Sequence, residues 1–76
     1  MNNKTLFIQE YVLPITIVEE KQGVFIASCS SWQDCYAQGT SVVDVIKEIS
    51  FVADSLLEVY KEEDLSIPLR LKKVSN

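Results

Sequence analysis

The clearest structural signal in this chain is the segment TSVVDVIKEISFVADSLLEVYK, residues 40–61. They contain no glycine or proline, and at about 100° per residue one side of a helix collects the apolar side chains. These are Val42, Ile46, Ile49, Ala53, Leu56, Leu57 and Tyr60. Thr40 or Ser41 can cap the first turn, and Ser41 with Asp44 forms a shortened capping box. The stretch predicts one amphipathic helix that ends near Tyr60, because the acidic residues 62–64 oppose the helix dipole.

Three segments before the helix predict strands. Residues 10–19 are rich in β-branched and aromatic side chains and read as the first strand. The polar stretch after them ends in Gly23, as a tight reversal requires, so residues 24–29 pair back as a hairpin. Residues 30–34 read as a polar loop that carries the only tryptophan. Residues 35–38 read as a short third strand.

A closing strand is predicted after the helix over residues 66–74. Its side chains alternate, which places Ile67, Leu69 and Leu71 toward the core. The order strand, strand, short strand, helix, strand predicts a single α+β domain over residues 1–76, with an ordered core at about 8–74. One helix covers one face of an antiparallel-rich sheet. We expect the other face to be uncovered and to include Val12, Val18, Val24 and Ile26.

Composition narrows the possible functions. The 76 residues include eleven acidic and seven basic side chains and no histidine. An acidic domain is a poor ligand for phosphate backbones, so no direct nucleic-acid binding is expected. Without histidine the commonest general base and metal ligand is missing, and we expect no catalysis, no metal and no cofactor. The carboxylates fall mostly on turns or on the solvent side of the helix, which is typical of a solvated charge set.

Cys29 and Cys35 are the only cysteines. No apolar leader follows the polar N-terminus, and no apolar run is long enough to span a membrane. A cytoplasmic protein with two reduced, core-packed thiols is therefore expected.

Residues 23–29, GVFIASC, and residues 35–46, CYAQGTSVVDVI, carry a family resemblance. Together with the flanking strands they resemble the HicB-like antitoxin family over about residues 11–71. The chain departs from the family in the loop of residues 30–34, where prolines and a glycine are usual, and at Val43 and Val45, which replace Glu and Ala. The resemblance implies a partial ribonuclease H-like fold, β-β-β-α-β. It also implies an antitoxin that binds a small basic RNA-cleaving toxin of the HicA type, and many relatives form oligomers. Because the sequence stops shortly after the last strand, the added DNA-binding segment of many relatives is not expected.

Five residues are candidates for contact with such a partner. Trp32, Tyr36 and Phe51 are possible apolar anchors, and Asp34 and Asp54 are possible charge partners. Each anchor has a structural alternative. Trp32 could cap the end of the core, Tyr36 could pair across strands, and Phe51, opposite the apolar stripe of the helix, could be an incidental exposed side chain.

Two other functions remain open. The uncovered sheet face could join copies of the chain into a stand-alone self-assembling domain without a toxin. A small-ligand or RNA-binding domain would need basic and aromatic side chains interleaved on the sheet, whereas the cations cluster at Arg70, Lys72 and Lys73.

Overall fold

The computed structural model of the chain describes residues 2–73. Four long antiparallel strands form one sheet in the order β1-β2-β3-β4, and a single helix packs on one face. The α+β prediction is therefore confirmed. The elements are β1 (Asn2–Ile8), β2 (Tyr11–Lys21), β3 (Val24–Cys29), β4 (Trp32–Gly39), α1 (Val42–Glu62) and β5 (Arg70–Leu71).

β1 is a strand that the sequence did not predict. It pairs with β2 along its whole length, from Asn2 opposite Ile17 to Ile8 opposite Tyr11. Its first four residues are polar and exposed, so they show no apolar alternation that could have indicated a strand. The strand forms because its backbone pairs with β2, and this pairing packs Leu6 and Ile8 against the core.

β5 is much shorter than the predicted closing strand. Only Arg70 and Leu71 pair, with Val12 and Tyr11 of β2. Ile67 and Leu69 pack against the core as expected, but Leu71 is 64% exposed and its predicted inward position is wrong. Residues 65–68 form no strand, and Pro68 has no N–H to donate to a ladder. The last residue of the predicted strand, Val74, lies outside the described residues.

β4 begins at Trp32, so the prediction of a loop over residues 30–34 is wrong. Ser30 and Ser31 alone make the turn, and Trp32 already pairs with Cys29. The next pair is Ser28 with Tyr36, which leaves extra residues on β4 between the two pairs. This irregularity lets both Trp32 and Cys35 turn toward the core.

Pro14 sits in the middle of β2 and not near its end. It pairs with Thr5 of β1. On the other side of β2, β3 begins its pairing at Thr16 and β5 pairs only at Tyr11 and Val12. The missing N–H of Pro14 therefore falls where β2 has a neighbour on one side only.

The core lies between the helix and the facing side of the sheet. Its buried hydrophobic residues are Leu13, Ile15, Ile17, Ala27, Cys29, Trp32, Cys35, Val45, Ile49, Ala53 and Leu57. Val45 is fully buried although the stripe read from the sequence omits it. The side of the sheet away from the helix is uncovered, and Val12, Val18, Val24 and Ile26 lie on it outside the core, as predicted.

The helix begins as its sequence predicts and ends slightly later. The Ser41 hydroxyl accepts a bond from the Asp44 amide at 3.0 Å, and the Thr40 amide donates to the Asp44 carboxylate at 2.8 Å. The helix continues to Glu62, two residues beyond the predicted end. Asp64 then adopts φ 60°, and the Leu65 amide donates to the Tyr60 carbonyl at 2.8 Å. This left-handed ending satisfies carbonyls of the last turn.

Gly39 joins β4 to the helix at a close approach, and we expect Gly39→Ala to be destabilising. An added Cβ would lie 2.7 Å from the Val45 amide nitrogen and 2.8 Å from its Cα. Backbone must therefore move, and overpacking of this kind costs about 1–3 kcal/mol. Urea denaturation of the variant measures the loss. Gly23→Asn is the control, because Gly23 has open space and a φ of +78° that asparagine tolerates. Equal stability of Gly39→Ala and wild type would contradict the packing described here.

Candidate protein-binding surfaces

Trp32 and Asp34 belong to a cluster at the C-terminal end of the helix. The Trp32 side chain is only 3% exposed, and its ring meets the Tyr60 ring edge-on, with centroids 5.0 Å apart. The Tyr60 hydroxyl donates to the Asp34 carboxylate at 2.8 Å. Trp32 thus caps one end of the core. A partner could reach the Asp34 carboxylate but not the Trp32 ring.

Phe51 projects from the outward side of the helix and is 72% exposed. Helical spacing places Lys47, Glu48, Asp54 and Ser55 around it. The helix and the turn after it, residues 42–64, carry seven acidic and two basic side chains. The rest of the chain has four acidic and five basic residues. The negative charge of the protein is therefore concentrated in the helix and the turn after it. We call the outward side of α1, centred on Phe51, the helix surface.

Gln9 connects the helix surface to the β1–β2 turn, although no pattern in the sequence singles it out. Its amide nitrogen donates to Asp54 at 2.8 Å and to Glu58 at 3.1 Å. Its amide oxygen accepts a bond from the Lys61 ammonium at 2.7 Å. Gln9 also has a left-handed φ of 55°. These contacts hold the Asp54 carboxylate in place beside Phe51.

Tyr36 lies on the opposite side of the molecule. It pairs with Ser28 across β3 and β4, and it is 64% exposed on the uncovered face of the sheet. Tyr36 thus pairs across the strands, and its exposed side chain remains accessible to a partner. The five candidate residues consequently fall in three places. Phe51 and Asp54 share the helix surface, Trp32 and Asp34 share the cluster at the helix end, and Tyr36 stands alone on the sheet.

The side of the sheet away from the helix is named the open face. Strand register assigns twelve uncharged residues to it: Asn3, Thr5, Phe7, Val12, Pro14, Thr16, Val18, Val24, Ile26, Ser28, Tyr36 and Gln38. It also places two cations there, Arg70 opposite Val12 and Lys21 opposite Val24. Phe7 is 58% exposed and Val18 is 42% exposed. A groove of about 600 Å³ lies where Thr5, Val12 and Pro14 of this face meet residues 67–70.

The two thiols are buried in the core. Cys29 and Cys35 are both free, and they are 3% and 1% exposed. Burial, together with the neighbouring Cys29, raises the pKa of Cys35 from 9.0 to about 11. A thiol with a raised pKa carries little thiolate near neutral pH, so Cys35 is a poor nucleophile.

The raised pKa of Cys35 predicts a loss of stability at alkaline pH. The unfolded chain releases this proton at a lower pH than the folded chain, so the free energy of unfolding falls as pH rises from about 9 to about 11. Urea denaturation across that range measures the slope. Cys35→Ala is the control, because it removes the titration of this thiol and leaves the other groups that titrate at alkaline pH. A slope unchanged in Cys35→Ala would contradict the assignment.

Two further findings concern residues 2–73. Within that range no cluster of three or more cysteine, aspartate or glutamate side chains is arranged to hold a metal ion. No helix in the described part of the chain is both long and apolar enough to cross a membrane. Comparison of the chain with protein-family models, with curated proteins and with solved structures found no significant match.

Proposed function

We propose that this protein is a cytoplasmic, non-enzymatic binding module of the antitoxin type. Its partner is a small, basic, RNA-cleaving toxin similar to HicA, and it acts by covering the toxin surface that binds RNA. The observation that carries the proposal is the helix surface. There, a phenylalanine that is 72% exposed stands among acidic side chains on a helix that holds five of the eleven acids.

The helix surface has the two properties that such a partner requires. A protein that cleaves RNA needs a positively charged surface to hold the phosphate backbone. Asp44, Glu48, Glu58 and their acidic neighbours offer that surface complementary charge along a helix of 21 residues. Phe51 supplies an aromatic side chain that can be buried at the centre of the contact, and such residues carry most of the energy of an interface. The resemblance of residues 23–29 and 35–46 to HicB-like antitoxins agrees with this assignment.

Occlusion requires no reacting group on the antitoxin. Bound across the RNA-binding surface, the helix surface would exclude RNA both sterically and by presenting carboxylates where phosphates bind. Gln9 contributes indirectly, because it fixes the Asp54 and Glu58 carboxylates before the partner arrives. A pre-ordered surface loses less side-chain entropy on binding than a mobile one.

Association with the toxin should slow as salt is added. Complementary charge accelerates the encounter of proteins, and salt screens that attraction, so raising ionic strength from about 0.05 M to 0.5 M should lower the association rate constant about tenfold. Stopped-flow mixing measures this rate. Glu48→Gln on the helix surface should flatten the salt dependence, whereas Glu20→Gln on the sheet side, the matched control, should not. A rate constant independent of salt would contradict the role of the acidic helix.

Co-expression tests the proposal. The chain is expressed together with the small basic protein encoded beside its own gene, and growth and co-purification are scored together. We expect the neighbour alone to arrest growth, and the chain to restore growth and to co-purify with it. Absence of both rescue and complex would contradict the proposal.

A stand-alone self-assembling domain is the second candidate. The open face favours it, because Phe7, Val18 and Tyr36 remain exposed there without cover from the described part of the chain. This function would need no toxin, and the failure of co-expression described above would leave it as the explanation.

A further inference from the structure

We infer that the open face is a self-association surface, on which a second copy of this chain packs sheet against sheet. The inference concerns the side of the molecule opposite the helix surface. It therefore does not depend on the toxin, and self-association can be measured on the chain alone.

The charge distribution favours a second copy over a basic partner on this face. The protein has a net charge of −4, so two copies repel each other wherever their carboxylates meet. The strand pairs that define the open face include two cations, Lys21 and Arg70, and no acid, whereas seven acidic residues lie in the helix and the turn after it. The open face is thus a broad surface on which two copies can approach with few carboxylates between them, and its cations would repel a basic protein.

The charges at the rim select one orientation. Arg70 pairs opposite Val12 at one end of β2, and the Lys72 ammonium lies 5.3 Å from the centre of the Phe7 ring near the same end. At the other end of β2, residues 19–21 include two acids and one base. Consider a twofold axis that lies between the two sheets and is perpendicular to their strands. Such an axis makes the β2 strands of the two copies antiparallel, so the cations of each copy lie near the acid-containing end of β2 in the other copy.

The size and composition of the face fit such a contact. The molecule measures 40 × 31 × 17 Å, so the sheet forms one side of a thin slab. A face of these dimensions has room for the about 800 Å² per partner that a standard interface buries. Val12, Val18, Val24 and Ile26, with Phe7 and Tyr36, supply apolar side chains for the middle layer of a two-sheet sandwich. The assembled dimer would display its two helix surfaces on opposite outer sides.

The test is the mass of the purified chain in solution. Sedimentation or light scattering over about 1 μM to 1 mM should show a species of twice the 8.6 kDa chain mass. Val18→Asp buries an unpaired charge in the proposed contact and should weaken self-association by about 100-fold or more. Tyr36→Glu, at a side chain 64% exposed, should do the same without affecting the fold of one copy. Circular dichroism checks that both variants fold.

Phe51→Asp is the matched control, because it adds the same charge on the helix surface and should leave the dimer intact. A wild-type chain that remains monomeric throughout the concentration series would overturn the inference. So would any assembly that survives in Val18→Asp and Tyr36→Glu, or that Phe51→Asp dissolves. Failure of toxin binding would leave these results unchanged, so the two proposals fail separately.

Discussion

Trp32→Ala is expected to lower the free energy of unfolding by about 3–5 kcal/mol. The indole is 3% exposed and closes the end of the core between β4 and the helix. Its removal leaves a cavity and also takes away the edge-on contact with Tyr60. Domains of this size are only marginally stable, so the variant should be largely unfolded at ambient temperature. Urea denaturation followed by circular dichroism measures the loss.

Trp32→Phe is the control for this prediction. The Trp32 indole nitrogen is buried, and none of the described residues accepts its hydrogen bond. A buried donor without an acceptor costs about 1–3 kcal/mol, and phenylalanine avoids that cost while it retains most of the packing. We therefore expect Trp32→Phe to lose about 1 kcal/mol or less. A loss of less than about 1 kcal/mol in Trp32→Ala would contradict the position of Trp32 in the core.

Phe51→Asp is expected to raise the dissociation constant for the toxin by about 100-fold or more. An aromatic side chain at the centre of an interface contributes about 2–4 kcal/mol when it is buried by the partner. The added carboxylate should itself favour a basic partner, so any loss of affinity reports the apolar contact. Because Phe51 is 72% exposed in the free chain, the free energy of unfolding should change by only about 0.5 kcal/mol. Isothermal titration of the purified toxin measures the affinity.

Val43→Asp separates this contact from a general effect of charge. Val43 lies on the same helix and is 70% exposed, but it is two turns away from Phe51. The same apolar-to-acidic change there should alter the affinity less than threefold or improve it. If Phe51→Asp and the wild type bind the toxin with equal affinity, Phe51 does not contribute to the contact.

The sequence predicted the elements whose signal is local. The helix follows from its apolar period and its cap, and the β2–β3 hairpin from two β-rich segments around Gly23. β1 could not be predicted in this way, since residues 2–5 are polar and become a strand through pairing with β2. The length of the closing strand was overestimated, because its regular alternation is a local signal that says nothing about pairing. Only Tyr11 and Val12 of β2 pair with it.

The candidate contact residues show the same limit. The exposure of Phe51 was predictable, because helical angles alone place it opposite the apolar stripe. The burial of Trp32 was only one of two alternatives, because its polar neighbours suggested a loop, whereas an irregularity between β3 and β4 turns the ring inward. Gln9 carries no sequence signal. Its contact with Asp54 joins residues 45 positions apart, and only the packing of the β1–β2 turn against the helix creates it.

The most direct test of occlusion is the titration of RNA cleavage by the purified toxin with the purified chain. Occlusion predicts that cleavage falls in proportion to the added chain and stops when the two proteins are equimolar. It also predicts that Phe51→Asp shifts this inhibition to far higher concentration, whereas Val43→Asp inhibits like the wild type. Cleavage that continues undiminished with the chain in excess, or inhibition that is equal for Phe51→Asp and wild type, would contradict it.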